Sequence, residues 1–149
     1  MRAVVQRVKS SKVEVDGKII GSIGRGINLL IGISKEDTRE DIDYIVRKVL
    51  GMRIFEDENG KMNYSLQDIK GQLIVISQFT LYGDCRRGKR PDFMKAQGGD
   101  LARSLYNELV EEFKKEVPDL QTGEFGADMQ VEIINDGPVT LLLESKKDF

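Results

Sequence analysis

The spacing of apolar residues changes period along the chain, and the changes mark its elements. Met1–Val8 is a mixed apolar segment, and beyond it Val13 and Val15 alternate with Lys12 and Glu14, the two-residue period of a half-buried strand. Asp16-Gly17 is a hairpin signal, so Lys18–Ile23 is expected to pair back on that strand. Gly24-Arg25-Gly26 breaks the chain, and Ile27–Ile33 reads as a buried strand. Ile42, Ile45, Val46, Val49 and Leu50 then fall on one face of a helix. Asp37 or Thr38 caps its start, Glu40 and Asp41 sit in its first turn, and Gly51 ends it. Met52–Phe55 resumes as strand, Glu56–Gly60 is a turn, and Leu73-Ile74-Val75-Ile76 lies within a buried strand over Gln72–Gln78. Gly83–Pro91 is a polar loop. A second helix runs from about Leu101 to Lys115, with Leu101, Ala102, Leu105, Leu109 and Phe113 on one face, Asp100 as N-cap and Pro118 as its stop. Two final strands, about Asp128–Asn135 and Val139–Glu144, flank an Asp136-Gly137-Pro138 turn.

Strands, helix, strands, helix, strands, joined by short hairpins, predict an α/β fold. The expectation is a single domain over residues 1–149, with largely antiparallel strands in two sheets and helices packed on one side, a three-layer arrangement. At 149 residues such a domain buries roughly two-thirds of its unfolded surface, enough for a core without staples. With one cysteine, Cys85, no internal disulfide can form. No apolar run approaches the ~20 residues that span a membrane. The N-terminus is too short and too charged for a signal peptide, so the cytoplasm is the expected location.

The chain contains no histidine. That removes every Ser-His-Asp or Cys-His arrangement within it, and with them the usual general base near neutral pH. Hydrolysis would have to rely on carboxylates, lysine, a metal, backbone dipoles or the substrate itself. The acidic residues Asp57, Glu58, Asp68 and Asp84 lack metal-ligand spacing, and no metal or cofactor is expected. Net charge is −2, so a nucleic-acid contact would be local rather than steered by the whole molecule.

Three stretches could carry chemistry. Ser77-Gln78-Phe79-Thr80 sits where a buried strand emerges into a loop; it is either a polar strand end with Phe79 in the core, or a pocket wall with side chains alternating by strand periodicity and backbone N–H groups that can point at an oxyanion. Thr80 could serve as a nucleophile only with an adjacent base, the nearest in sequence being Asp84 and Lys89. Gly137-Pro138 reads as a turn, in either peptide isomer. Arg86-Arg87-Gly88-Lys89-Arg90 is either a solvated loop or a grip on phosphates.

Taken in order, these stretches resemble one family along nearly the whole chain. Met1-Arg2-Ala3-Val4-Val5-Gln6-Arg7-Val8 looks like its opening, and Arg53–Asn63 like its middle block. Ser77-Gln78-Phe79-Thr80-Leu81 and Asn135-Asp136-Gly137-Pro138-Val139-Thr140 match its two signatures. Gly88–Phe93 and Thr122–Met129 resemble the blocks between them. The family is D-aminoacyl-tRNA deacylase. One departure is Gly98-Gly99-Asp100, where the family commonly has a proline before the second helix.

The resemblance implies a cytoplasmic proofreading hydrolase without cofactor that cuts D-aminoacyl esters from the 3′ end of tRNA. It implies a homodimer in which a cis Gly137-Pro138 turn, braced by Arg7, enters the partner's pocket and rejects L-amino acids. Ser77, Gln78, Phe79 and Thr80 would line that pocket. Ala102 would leave room for the terminal adenosine, and Met129 would line the side. Water attack assisted by backbone N–H groups and the ribose 2′-hydroxyl is the expected mechanism, and glycyl-tRNA is an expected second substrate. The alternatives are a Thr80 acyl-enzyme esterase, a general small-ester hydrolase, and a non-catalytic module that binds tRNA ends.

Overall fold

A computed structural model describes residues 1–148; Phe149, the last residue of the expected domain, lies outside the described residues. The strands are β1 (Arg2–Val15), β2 (Lys18–Ile23), β3 (Gly26–Gly32), β4 (Phe55–Glu56), β5 (Met62–Tyr64), β6 (Gln72–Ser77), β7 (Gln121–Thr122) and β8 (Gln130–Glu144). The helices are α1 (Arg39–Gly51) and α2 (Gly99–Lys114). One sheet has six strands in the order β2-β1-β3-β6-β7 with β8 on the other side of β1, and the second is the β4–β5 pair. The expected α/β class with two sheets is borne out. Pairing around β1 is antiparallel throughout, whereas β3–β6 and β6–β7 are parallel. The parallel β3–β6 pair follows from its connection, because the chain crosses through α1 before β6 returns beside β3.

Both helices pack on one face of the large sheet. Ala3, Val5, Leu29, Ile31, Leu73 and Val75 share a core with Ile42, Ile45 and Val49 of α1 and with Tyr106, Leu109 and Phe113 of α2. The opposite face carries a smaller core of Val8, Val13, Ile23, Ile74 and Ile76. Alternate residues of β6 therefore enter different cores, which is why Leu73-Ile74-Val75-Ile76 is apolar without interruption. Thr38 is the N-cap of α1, and its N–H donates to the Asp41 carboxylate at 2.8 Å.

Several boundaries differ from the sequence reading. Gly98, not Asp100, is the N-cap of α2, and Asp100 lies in the first turn. Leu101 is 56% exposed, because the buried stripe runs through Ala102, Tyr106, Leu109, Val110 and Phe113. Of the expected strand Met52–Phe55 only Phe55 is strand, and Glu56, expected to open the turn, continues it.

The two predicted C-terminal strands form one long strand on one partner. Gln6 faces Thr140 and Val8 faces Asn135, so Arg7 alone stands opposite Asp136–Val139. The Gly137-Pro138 turn is thus an insertion bulging out of a strand, and not a hairpin reversal.

Candidate active site

The signature around residue 78 lies where β6 stops. The Gln78 N–H donates to the Ile31 carbonyl at 2.7 Å, and the chain then winds into a single 3₁₀ turn, Phe79–Tyr82. Strand alternation therefore ends at Ser77, earlier than the sequence pattern predicted. Gly32 permits the close approach, since a Cβ there would lie 3.0 Å from the Gln78 carbonyl oxygen and 3.1 Å from Leu81 Cβ. Tyr82 anchors the far end of the turn, buried under the Arg2 guanidinium at 4.7 Å, and burial pushes its phenol up. Leu81 N–H donates to Gln78 and Gly83 N–H to Thr80. The first two N–H groups of the turn, on Phe79 and Thr80, have no acceptor among the described residues. Such orphaned donors are the rule at the start of a helical turn and are available to an incoming oxygen.

Beside this turn opens a cavity of about 590 Å³. Ile31, Ile33 and Ile76 form its apolar base, and Ser77, Gln78 and Phe79 form one wall. Gly98, Gly99 and Ala102 bring the start of α2 to another, and Phe125–Ala127 with Met129 and Val131 complete it. Phe93 closes the rim edge-on to Phe79, with ring centroids 5.2 Å apart. None of the lining side chains is ionisable. Thr80 lies outside the lining, and its hydroxyl accepts a hydrogen bond from Gln78 Nε2.

The second signature is held from beneath by Arg7, whose side chain is almost fully buried. Arg7 Nε donates to the Asp136 carbonyl at 3.2 Å, and Nη1 donates to the Ile54 carbonyl at 2.8 Å. Its charge faces the Asp136 carboxylate at 3.5 Å and Glu56 at 4.0 Å. The Gly137-Pro138 peptide bond is cis, and Gly137 has φ +118°. On the other side of the turn Val139 N–H donates to Asn135 Oδ1 at 3.2 Å. Gly137 and Pro138 are exposed and do not line the cavity of their own chain.

A profile of the family described as D-Tyr-tRNA(Tyr) deacylase matches residues 4–144. The chain belongs to this family. It is 68% identical to a D-aminoacyl-tRNA deacylase of Clostridium botulinum (strain Langeland) over the whole of both chains. It is 65% identical to one of Clostridium kluyveri, again over the whole of both. A solved structure described as a c-Myc DNA unwinding element binding protein superposes with TM-score 0.92 at 46% identity, covering 97% of this chain and 98% of the other. A second, of a probable eukaryotic D-amino acid tRNA deacylase, shares the fold with TM-score 0.78 at 18% identity, covering 95% and 97%. Membership of the deacylase family, and of the hydrolase class its name states, is borne out.

Of the residues expected to form the deacylase pocket, the fold gathers Ser77, Gln78, Phe79, Ala102 and Met129 around one cavity. It leaves Thr80 at the edge and sets Arg7, Gly137 and Pro138 apart as a separate unit. Phe93 and Phe125 were not singled out by sequence reasoning. The available signal was a lone aromatic in an otherwise polar or glycine-flanked stretch, as in Gly123-Glu124-Phe125-Gly126. Phe125 is fixed between the Tyr106 ring, 5.5 Å away, and the Arg103 guanidinium, 4.9 Å away. In the basic stretch Arg86 turns back onto Asp84, and that contact holds the Asp84 carboxyl well below the usual range.

Proposed function

We propose that the chain hydrolyses the ester of D-aminoacyl-tRNA, releasing the free D-amino acid and the tRNA. The observation that carries this reading is a cavity with no ionisable lining side chain, in a chain that matches deacylases end to end. An aminoacyl ester is already activated, so little acid–base power is needed. In the reaction we infer, a water oxygen bonds to the ester carbon while the N–H groups of Phe79 and Thr80 hold the developing oxyanion. The bond to the ribose oxygen then breaks. The proton released by the water reaches that oxygen with the neighbouring 2′-hydroxyl as relay. Ala102 leaves room for the terminal adenosine, and Met129 bounds the side.

Selection by handedness is assigned to a second copy of the chain. The Gly137 and Pro138 carbonyls of one protomer would enter the other's pocket and fill the space an L side chain needs. A D side chain would point away to solvent. Discrimination then comes from rejection rather than from better binding. Two observations support the homodimer: the turn avoids its own cavity, and β8 exposes Ile134 (47%) and Leu142 (63%) beside it. Residues 1–149 would act as one domain. Among the described residues no helix is long and apolar enough to cross a membrane, and a cytoplasmic location fits a tRNA substrate.

The Thr80 acyl-enzyme alternative is disfavoured by the engagement of its hydroxyl with Gln78 and by the lack of an ionisable lining group. The deciding experiment is deacylation of one tRNA charged with D-tyrosine, with L-tyrosine and with glycine. D-tyrosyl- and glycyl-tRNA should be cut while L-tyrosyl-tRNA persists. Equal rates on the two tyrosyl enantiomers would remove the chiral part of the proposal. Intact glycyl-tRNA would remove the claim that the pocket ignores the side chain.

A further inference from the structure

The basic loop after Tyr82 leaves three cations unclaimed beside the cavity. Its base is closed by two backbone hydrogen bonds, Asp84 N–H to Asp92 O at 2.7 Å and Asp92 N–H to Asp84 O at 3.0 Å. The returning limb is tied to the sheet side by Gln97 N–H donating to the Ile33 carbonyl at 2.8 Å. Phe93, on that limb, forms the cavity rim. Both carboxylates of the loop are occupied. Asp84 takes Arg86 through Nε at 2.9 Å and Nη2 at 2.5 Å, and Asp92 accepts from the Met94 N–H at 2.6 Å. Arg87, Lys89 and Arg90 are exposed and make no ion pair or hydrogen bond among the described residues. Gly88, with φ +72°, turns the chain between them. Arg90 is three residues from Phe93, so its Cα lies within ~11 Å of that wall.

The cavity lining carries no cation to balance a phosphate's charge. An ester seated in it is the end of a polynucleotide, and the phosphates of the strand leading out must be met beyond the rim. The molecule's net charge of −2 gives no general attraction for a polyanion. Among the cations near the rim, Arg86 is spent on Asp84, Lys95 lies in the field of the same carboxylate, and Arg103 lies over the Phe125 ring. We propose that Arg87, Lys89 and Arg90 bind the sugar–phosphate backbone of the unpaired 3′ strand of the tRNA, and so set KM without entering the chemistry. This rests on the reading that the ester of an aminoacyl-tRNA occupies the cavity.

The test compares the unaltered protein with an R87Q/K89Q/R90Q variant on two substrates, D-tyrosyl-tRNA and the D-tyrosyl ester of adenosine, which has no phosphate. The variant should raise KM for the tRNA about ten-fold or more at 50 mM salt with kcat unchanged, and behave like the parent on the adenosine ester. Each phosphate contact on a single strand contributes ~0.7 to the slope of log affinity against log salt. Losing three contacts lowers that slope by about 2. Between 50 and 200 mM salt the parent's KM should therefore rise about twenty-fold more than the variant's. An R87K/R90K variant, with Lys89 retained, should keep most of the parent's affinity. An unchanged KM and salt slope on the tRNA would overturn the proposal. Binding of uncharged tRNA, read by fluorescence anisotropy, separates the loop from the reaction: it weakens in the glutamine variant whether or not any ester is cut, and equal binding again overturns the assignment. If the substitutions impair binding of duplex DNA and leave tRNA binding intact, the loop serves a different polyanion and the proposal fails. Because all three side chains are exposed, the unfolding midpoint should not move, which checks that the variant is folded.

Discussion

Gly137→Ala probes whether the turn at 137–138 and Arg7 form one mechanical unit. Gly137 has φ +118°, a region that alanine enters only at a cost of ~1–3 kcal/mol. The added Cβ would also lie 2.7 Å from Arg7 Nη2 and 3.1 Å from Val139 Cγ2. Arg7 cannot yield freely: only 5% of it is exposed, and its guanidinium donates to Asp136 and Ile54 carbonyls at 3.2 and 2.8 Å. Displacing it weakens hydrogen bonds from a charged donor, worth ~1.5–3 kcal/mol each when intact. Together the two effects predict a destabilisation of about 3–5 kcal/mol, measured by urea unfolding followed by circular dichroism. The specific check is a double-mutant cycle with Arg7→Met. Without the guanidinium, the backbone term and the Val139 contact remain for Gly137→Ala but the clash with Arg7 is gone, so its cost should fall by about 1–2 kcal/mol. If the carbonyls of this turn exclude L side chains as proposed, Gly137→Ala should also raise hydrolysis of L-tyrosyl-tRNA relative to D-tyrosyl-tRNA by at least about ten-fold. Strictly additive costs, together with undiminished chiral discrimination, would refute the coupling and its functional consequence.

Thr80→Ala should change kcat by less than about three-fold, whereas a nucleophile's removal lowers it by orders of magnitude; single-turnover deacylation distinguishes the two. Ala102→Leu places a larger side chain in the cavity wall beside the start of α2 and should lower kcat/KM on D-tyrosyl-tRNA by about a hundred-fold, read in the same assay. The pH–rate profile of kcat should show no bell assignable to an enzyme acid and base, because no ionisable side chain lines the cavity; a bell that shifts on mutation of a protein carboxylate or lysine would contradict this. Asp41 supplies an acid-sensitive contribution to stability. Burial would raise its carboxyl, but hydrogen bonds from Ser145, Lys146 and the Thr38 N–H outweigh it and hold the pKa at about 2 against an ordinary 3.8. Its stabilisation, roughly 2 kcal/mol, is therefore complete above about pH 4 and lost as pH falls through about 2. Asp41→Asn should be less stable than the parent near neutrality and converge with it in acid.

The elements that could be read from the sequence are those whose signal is local. The α1 face, the Asp16-Gly17 hairpin and the apolar run of β6 follow from periodicity and turn chemistry within a few residues. The errors fell where a distant partner decides the outcome. Leu101 has an apolar side chain at helical spacing, yet among the described residues no element covers its side of α2. Asp100 has the chemistry of an N-cap, but the helix begins at Gly99 because Gly98 already takes the extended cap conformation. The segments either side of Pro138 read as two strands because the turn residues are strong, and they are one strand because β1 runs past both.

The same division applies to function. Composition alone removed histidine chemistry, and two short signatures carried the resemblance to the deacylases, since both are properties of residue identity in order. That Gln78 and Ala102 share a cavity with Met129 and the unforeseen Phe93, that Thr80 stands outside it, and that Arg7 reaches across to hold Asp136 are facts of three-dimensional closure. Residues 7, 78, 102 and 129 are separated by long stretches of chain, and nothing local encodes which of them meet. Only the packing of α2 on the sheet and the pairing of β8 with β1 determine those distances, because a side chain's neighbours are set by which faces must be buried together.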